Sequence, residues 1–240
     1  MMMIKEAVIL AGGFGTRLKS VVSDLPKPMA DTGGRPFLSC LIDYLAIGGV
    51  RRVILSVGYM HETITDYFKT EWNGVEIRYV VEHKPLGTGG ALKAALGAVS
   101  GSDVLVLNGD SFLRIDLADF SRFHLEKNGG MTMAVKRMKD LDRYGTVILD
   151  GETVRDFIEK MRAGAGYINA GVYILNKKRC GLLETDRESF SFEKDFLHKR
   201  TGSGSVFAYI CNEYFIDIGL PEDYMKAKKD FGNLRKGGGI

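Results

Sequence analysis

The stretch AVILAGGFGTRLKS, residues 7–20, joins a short apolar run to a cluster of three glycines. The run AVILA is predicted to form a buried β-strand, and Gly12, Gly13 and Gly15 leave unhindered backbone N–H groups at its carboxyl end. Ligands of α/β proteins bind at the carboxyl ends of parallel strands. Each glycine costs roughly 0.5–1 kcal/mol of backbone entropy unless the geometry requires it, so the cluster favours a phosphate-binding loop over a plain strand–turn–helix junction.

Two general phosphate-binding motifs do not fit this loop. A dinucleotide-binding fingerprint that starts at Gly13 requires glycine at position 18, which is Leu18. A P-loop requires a Gly-Lys-Ser/Thr triplet, which the loop lacks. The loop continues instead with Thr16 and Arg17, and LPKPM follows, with Lys27 between two prolines. Because proline restricts both itself and the residue before it, the backbone around Lys27 is predicted to be rigid.

The composition excludes several classes of partner. The 240 residues carry 33 Lys and Arg against 30 Asp and Glu, a formal charge of +3, which gives no reason to expect a nucleic-acid or membrane partner. The cysteines Cys40, Cys180 and Cys211 are odd in number and lie in apolar sequence, which predicts reduced core thiols and a cytoplasmic protein. The apolar run at the start is too short for a signal peptide or a membrane span.

The first half of the chain alternates strand and helix patterns. Further strands are predicted at RRVILSVG (51–58), VEIRYVVE (75–82) and DVLVLNGD (103–110), with amphipathic helices between them. One of these helices is predicted from apolar residues at helical spacing, namely Met60, Ile64, Tyr67, Phe68 and Trp72. The order predicts a Rossmann-like α/β fold whose mixed, mostly parallel sheet carries helices on both faces.

The second half is predicted to add antiparallel strands to that sheet. They are MTMAVKRM (131–138), GTVILD (145–150), TVRDFIEK (153–160) and YINAGVYIL (167–175). Two closing helices begin after Ser191, a candidate N-cap, and at Pro221. We therefore expect a single domain over residues 1–232, with halves at about 1–112 and 113–232, and a disordered tail at 233–240.

The glycine loop and the Pro-Lys-Pro segment together carry a family resemblance. LAGGFGTRL followed by PKPM resembles the sugar-1-phosphate nucleotidyltransferases, which join a nucleotide to a sugar 1-phosphate and release pyrophosphate. Six more segments occur in that family's order: PLGTGGAL (85–92), LNGD (107–110), DRYGTV (142–147), FIEK (157–160), INAGVYIL (168–175) and FIDIGLPEDY (215–224). Within the family, PLGTGGA, DRYGTV, INAGVY, SFEKDFL and YFIDIG most resemble the D-glycero-α-D-manno-heptose 1-phosphate guanylyltransferases, which implies GTP and a heptose 1-phosphate as substrates.

The implied chemistry explains the cations. A phosphate monoester has a second pKa of about 6, so the attacking phosphate is largely dianionic at neutral pH and needs no general base. The protein must instead neutralise charge and position two polyanions. Arg17 offers a planar fork and Lys27 a point charge for the triphosphate. The resemblance implies that Arg17 and Lys27 stabilise the transition state and the leaving pyrophosphate, and that Lys160 holds the sugar phosphate.

Two aspartates are candidate metal ligands. Asp110 follows an apolar strand, where it could also be an ordinary helix N-cap or turn residue, and Asp217 lies between apolar neighbours. Two carboxylates together with phosphate oxygens suit octahedral Mg²⁺. The resemblance assigns both Asp110 and Asp217 to that metal and makes Asp110 catalytic.

The resemblance also implies the remaining binding residues. The implied nucleotide site consists of Leu10, Ala11, Gly12, Gly13, Gly15, Thr16, Arg17, Lys27, Glu82, Pro85, Gly87, Thr88, Asn108, Gly109 and Asp110. The implied sugar-phosphate site consists of Tyr144, Gly145, Glu159, Lys160, Asn169 and Gly171. From the residues alone, Tyr144 could equally be a packed aromatic and Asn169 a turn residue.

Other functions stay open on the sequence alone. Mannose 1-phosphate guanylyltransferases and uridylyl- or cytidylyltransferases share the motifs, and a non-catalytic nucleotide-sugar sensor would keep the glycine loop. The presence of the full set of cations and carboxylates favours an enzyme. A homodimer is expected only because dimers are frequent.

Overall fold

The computed structural model describes residues 3–13, 15, 18, 21–22, 24–141, 144–158 and 164–236. Its strands are β1 (Glu6–Leu10), β2 (Arg52–Val57), β3 (Glu71–Trp72), β4 (Val75–Val81), β5 (Asp103–Asn108), β6 (Ser111–Leu113), β7 (Met131–Met138), β8 (Thr146–Asp150), β9 (Thr153–Ile158), β10 (Gly166–Asn176), β11 (Val206–Ile210) and β12 (Phe215–Asp217). Its α-helices are α1 (Phe37–Ile47), α2 (His61–Phe68), α3 (Gly87–Leu96), α4 (Leu117–Lys127), α5 (His198–Arg200) and α6 (Pro221–Lys236). A 3₁₀ turn (Lys27–Met29) and a π-helical segment (Phe192–Leu197) complete the described elements.

A ten-stranded sheet with the order β3-β4-β2-β1-β5-β10-β7-β11-β9-β8 runs through both halves of the chain. Strands β4, β2, β1 and β5 are parallel neighbours, and β10 lies antiparallel between β5 and β7. Strand β11 returns parallel to β7, whereas β8 and β9 form an antiparallel hairpin. The mixed α/β fold with antiparallel additions in the second half is therefore confirmed.

Helices cover both faces of the sheet. Along β1, Ala7 and Ile9 face a core that also holds α1 and α6, whereas Val8 faces a second core under α3 and the π-helical segment. All three side chains are fully buried, as expected for a parallel strand with both faces covered. None of the described helices is long and apolar enough to cross a membrane.

One predicted helix ends earlier than its apolar pattern indicates. Helix α2 stops at Phe68 because Lys69 adopts a left-handed conformation with φ of 54°. Trp72, predicted to continue the helical face, lies instead in β3, which forms a hairpin with β4. Its ring still stacks on Tyr67, with centroids 5.3 Å apart. The prediction that Trp72 is helical is therefore wrong, although the apolar contact that produced the pattern is real.

Several short elements were not predicted. They are β3, β6, α4, β11 and β12. Strands β6 and β12 form a separate two-stranded antiparallel sheet in which Ser111 pairs with Asp217. Helix α6 continues to Lys236, so the predicted disordered tail at 233–240 begins too early, and residues 237–240 lie outside the described residues.

A buried carboxylate fixes the amino end of the parallel strands. Glu6, the first residue of β1, is 8% exposed and accepts hydrogen bonds from the Ser100 and Gly101 N–H groups. The Arg52 guanidinium donates from β2 to the same carboxylate, 2.8 Å away. Burial acts to raise the pKa of Glu6, but the hydrogen bonds from Gly101, Arg52 and Ser100 leave it lowered.

We expect Glu6→Gln to lower the free energy of unfolding by about 1–3 kcal/mol at pH 7, because a charged acceptor with several donors is replaced. Since the folded-state pKa of Glu6 is lowered, its contribution is present above the unfolded pKa and is lost as the pH falls through the folded value. Urea unfolding of wild type and variant across this range checks the prediction. Glu126→Gln, on the exposed face of α4, is the control, and an equal stability of Glu6→Gln and wild type at pH 7 would contradict the assignment.

Candidate active site

A cleft of about 550 Å³ opens at the carboxyl ends of the parallel strands. Its lining includes every described residue that was predicted to contact a nucleotide, namely Leu10, Ala11, Gly12, Gly13, Gly15, Lys27, Glu82, Pro85, Gly87, Thr88, Asn108, Gly109 and Asp110. Thr16 and Arg17 belong to the same prediction and lie outside the described residues. The size is that of an ordinary small-molecule site.

The glycines of the first loop differ in the space that surrounds them. A Cβ on Gly13 would meet no heavy atom within 4 Å, so its backbone faces open space. Gly15 has φ of 57°, and a Cβ there would lie 2.8 Å from Cβ of Lys27. A Cβ on Gly12 would lie 2.4 Å from the Glu82 carboxylate. Because Gly12 and Gly15 have no side chains, Glu82 and Lys27 can pack against the loop. The open space at Gly13 leaves room for a ligand.

Lys27 is held in place by its neighbours. It begins the 3₁₀ turn directly after Pro26, and its side chain is only 9% exposed. Its Nζ donates to Oδ2 of Asp110 at 2.6 Å and lies 3.7 Å from Oδ1 of Asp217. The rigid lysine predicted from the two prolines therefore lies between the two predicted metal ligands.

Strand pairing brings the two aspartates together. Asp110 occupies the turn between β5 and β6, and Asp217 is the last residue of β12. The pairing of β6 with β12 is extended by a hydrogen bond from the Ile218 N–H to the Asp110 carbonyl, at 2.9 Å. Oδ1 of Asp217 accepts from the Gly219 N–H at 2.6 Å. Both carboxylates therefore lie next to Lys27, which lines the cleft together with Asp110.

This pair of carboxylates fits a divalent cation. They converge on one positive group, the Lys27 ammonium, which shows that the position attracts positive charge. Mg²⁺ is commonly held by one or two carboxylates plus substrate phosphates, so a larger protein ligand set is not needed. Among the described residues, no group of three or more His, Cys, Asp or Glu side chains could hold a metal.

Glu82 is a second acidic residue in the described lining of the cleft, in addition to Asp110. It follows β4 and accepts hydrogen bonds from Ser56 Oγ at 3.3 Å and the Leu86 N–H at 3.4 Å. Burial raises the pKa of Glu82, although these two hydrogen bonds act in the opposite direction. Its carboxylate is therefore a poorly solvated acceptor inside the cleft.

The four described residues of the predicted sugar-phosphate site, Tyr144, Gly145, Asn169 and Gly171, do not belong to the lining of this cleft. Asn169 accepts from the Gly171 N–H at 3.0 Å and donates to the Tyr173 hydroxyl at 2.6 Å, so its side chain shapes a bulge in β10. Gly171 packs against Asn108, because a Cβ there would lie 2.8 Å from the Asn108 amide nitrogen. Asn169 therefore lies within strand β10 and not in a turn, and its amide makes hydrogen bonds at the bulge of that strand.

Two further members of that set lie near β12. The Tyr144 ring packs edge-on against Phe215, with centroids 5.9 Å apart. A Cβ on Gly145 would lie 2.7 Å from the Phe157 ring, which explains the small residue. Glu159 and Lys160 lie outside the described residues.

Sequence reasoning missed part of the cleft. Gly58, Tyr59, His83, Lys84 and Gly219 also line it. Gly58 and Tyr59 follow the end of β2 just as Gly12 follows β1, so the rule about carboxyl ends of parallel strands could have found them. His83 could have been found from its position directly after Glu82.

A cleft of this kind, with Lys27 and Asp110 in its lining and Asp217 next to them, is typical of an α/β enzyme that binds a phosphorylated ligand. The sequence matches the family model described as nucleotidyl transferase over residues 6–233, and the chain belongs to this family. It is therefore an enzyme of the nucleotidyltransferase class. Nucleotidyltransferases of this family generally use a divalent metal ion.

Relatives and solved structures support the same assignment. Proteins named D-glycero-alpha-D-manno-heptose 1-phosphate guanylyltransferase, from Aneurinibacillus thermoaerophilus and Campylobacter jejuni, are each 46% identical. The matches cover 94% and 91% of this chain and 97% and 96% of theirs. The crystal structure of HddC from Yersinia pseudotuberculosis complexed with GMP-PN has a TM-score of 0.85 at 42% identity, covering 95% of this chain and 100% of that one.

Proposed function

We propose that the enzyme transfers GMP from GTP to D-glycero-α-D-manno-heptose 1-phosphate, releasing pyrophosphate and forming a GDP-heptose for surface polysaccharide. One observation supports the reaction type: Lys27 and Asp110 line a cleft of about 550 Å³, and the Asp217 carboxylate lies 3.7 Å from the same ammonium. The choice of guanine and heptose is supported by the names of the 46% identical relatives.

In this reaction a phosphate oxygen of the sugar 1-phosphate attacks the α-phosphorus of GTP. The new P–O bond forms as the bond to the β,γ-pyrophosphate breaks, and pyrophosphate departs with the electron pair. Since the attacking phosphate is largely dianionic at pH 7, no side chain needs to remove a proton. The task of the protein is to hold the reacting groups in line and to neutralise developing charge.

Different residues are assigned to the triphosphate, the sugar phosphate and the metal ion. We assign the open backbone at Gly13 and the Lys27 ammonium to the triphosphate, with Arg17 beside them and Lys160 on the sugar phosphate. Asp110 and Asp217 would hold Mg²⁺, which when bound supplies Lewis-acid stabilisation of the phosphate charge. Asn108 lines the cleft and Gly171 packs against it, so we assign this pair to the boundary between the nucleotide and the sugar.

Glu82 is our candidate for base selection. Guanine presents N1–H and N2–H₂ donors side by side, and an ionised carboxylate accepts two such donors. Adenine, cytosine and uracil do not offer this pair. The partly buried carboxylate beside Gly12 therefore favours guanine.

We expect Glu82→Gln to raise KM for GTP by about 10- to 100-fold, the cost of losing hydrogen bonds to a charged acceptor. In the wild type, KM for GTP should rise as the pH falls through the raised pKa of Glu82, because the protonated carboxyl can no longer accept both donors. The glutamine variant should lose this pH dependence. Steady-state kinetics from pH 5 to 8 check both points, with exposed Glu71→Gln as the control, and an unchanged pH profile in Glu82→Gln would rule out the role.

Pyrophosphate release with a panel of triphosphates and sugar 1-phosphates tests the function as a whole. GTP with the heptose 1-phosphate should be the most efficient pair. A higher kcat/KM with mannose 1-phosphate would replace the sugar, and turnover with CTP but not GTP would overturn the guanylyl assignment. No release with any pair would support a nucleotide-sugar sensor instead.

We also propose a cellular compartment and an oligomeric state for the enzyme. Cys40, Cys180 and Cys211 are buried free thiols, which suits the reducing cytoplasm. A homodimer remains an expectation that light scattering would test.

A further inference from the structure

The glycine-rich segment at the start of α3 is held from behind by a second segment. We call residues 85–90 the α3 loop and residues 188–193 the strap. Pro85, Gly87 and Thr88 of the α3 loop line the nucleotide cleft, whereas no strap residue belongs to its described lining. The strap lies within SFEKDFL and the residues before it, a motif to which the proposed reaction gives no role.

The strap and the α3 loop are in close backbone contact. The Gly89 N–H donates to the Phe190 carbonyl, and the Phe190 N–H donates to the Leu86 carbonyl, both at 2.9 Å. A Cβ on Gly89 would lie 2.2 Å from the Phe190 ring, and one on Gly90 would lie 2.2 Å from the Glu188 carbonyl oxygen. These two glycines therefore make room for the strap rather than for a ligand.

The Thr88 hydroxyl joins the two segments. It accepts from the Phe192 N–H at 2.8 Å and donates to Oε2 of Glu193 at 2.9 Å. A hydroxyl has one proton to donate, and this one is already used. Although Thr88 lines the cleft, its side chain is committed to the strap.

The strap is itself anchored by a rare structure. Ser191 caps the π-helical segment: its Oγ accepts from the Lys194 N–H at 3.2 Å, and its own N–H donates to Asp195 at 2.8 Å. π-Helical segments are uncommon in proteins, and those that occur are often found at functional sites. The Phe192 ring is fully buried against Tyr173 of β10. The sheet therefore provides a firm support for Glu193.

We propose that Glu193 is a positioning residue for the nucleotide, acting through the Thr88 hydroxyl to fix the α3 loop. The loop carries the Leu86 N–H that bonds to Glu82, so fixing the loop also fixes the carboxylate assigned to the base. A loop held in its binding conformation loses less entropy when the ligand arrives. The inference rests on the proposed function in taking GTP as the nucleotide.

The test compares Thr88→Val, Thr88→Ser and Glu193→Gln. Calorimetry with a non-hydrolysable GTP analogue should give a Kd about 5- to 10-fold weaker for Thr88→Val and Glu193→Gln, the effect of one hydrogen bond to a charged group near solvent. Thr88→Ser should bind like wild type, because it keeps the hydroxyl. KM for the sugar 1-phosphate should be unchanged in all three, and exposed Glu184→Gln is the matched control.

Each alternative gives a different result. The double variant Thr88→Val/Glu193→Gln should bind no more weakly than Thr88→Val alone, since Thr88→Val already removes the hydrogen bond to Glu193. If Thr88→Val weakens binding and Glu193→Gln does not, the Thr88 hydroxyl acts without Glu193 and the proposal is wrong. If Tm falls and both substrates lose affinity alike, the strap only supports the fold, which also overturns it. Wild type that binds the analogue but does not turn over heptose 1-phosphate would overturn the proposed function and leave this inference standing.

Discussion

Asp110→Asn and Asp217→Asn are each expected to lower metal-dependent turnover by on the order of 10³-fold. The two carboxylates converge on a single cationic position, and an amide keeps the shape of a carboxylate but removes its charge. Loss of one preorganised electrostatic partner typically costs 10²- to 10³-fold in kcat. Loss of a proposed metal ligand is also expected to lower the affinity for the metal ion. The rate of pyrophosphate release at increasing Mg²⁺ concentration measures the effect.

A second measurement separates metal binding from catalysis. Titration of Mn²⁺ in the presence of GTP, followed by electron paramagnetic resonance, should show weaker binding in both asparagine variants. Asp66→Asn, on an exposed helix face, is the control and should match wild type. Near-normal turnover and Mn²⁺ affinity in Asp217→Asn would remove that residue from the metal site and leave Asp110 as its carboxylate.

Lys27→Met is expected to lower kcat by about 10²- to 10³-fold, with a smaller change in KM for the sugar 1-phosphate. The methionine keeps the apolar stem of a side chain that is 9% exposed but removes the charge that we propose stabilises the departing pyrophosphate. Lys27→Arg should restore only part of the rate. A planar guanidinium is larger than an ammonium and does not replace a point charge between two carboxylates.

Single-turnover kinetics with saturating GTP measure this effect on the chemical step. The Tm of Lys27→Met, compared with that of wild type, reports whether the 3₁₀ turn is intact. If Lys27→Met keeps a normal single-turnover rate and loses only GTP affinity, Lys27 binds the ground state and our assignment to the transition state is wrong.

The parallel half of the fold was predictable because its signals are local. The run from Ala7 to Ala11 is apolar on both faces, and such a run forms a strand that is covered on both sides. Strands β6 and β12 gave no such signal, since each has three residues and is stable only through pairing with the other. The helical pattern through Trp72 failed for a related reason: a left-handed Lys69 moves the ring to a strand without breaking its apolar contacts.

The candidate site could also be predicted only in part, because some of its contacts are local and others are long-range. The glycine loop and the rigid Lys27 could be inferred from residue types and spacing. The approach of Asp217 to Asp110 could not, because it depends on the long-range pairing of β6 with β12; only the family resemblance anticipated it. The hydrogen bonds of Thr88 could not be predicted either, since its partners come from a segment about a hundred positions further along the chain.

Strand β10 constrains how the enzyme can move. It pairs with β5 on one side and β7 on the other, so a continuous row of backbone hydrogen bonds joins the strand that ends at Asn108 to the strands of the second half. Opening the two halves about a hinge would break that row. We therefore expect the substrates to be enclosed by rearrangement of the loops around a stationary sheet, with no closure of one lobe onto another.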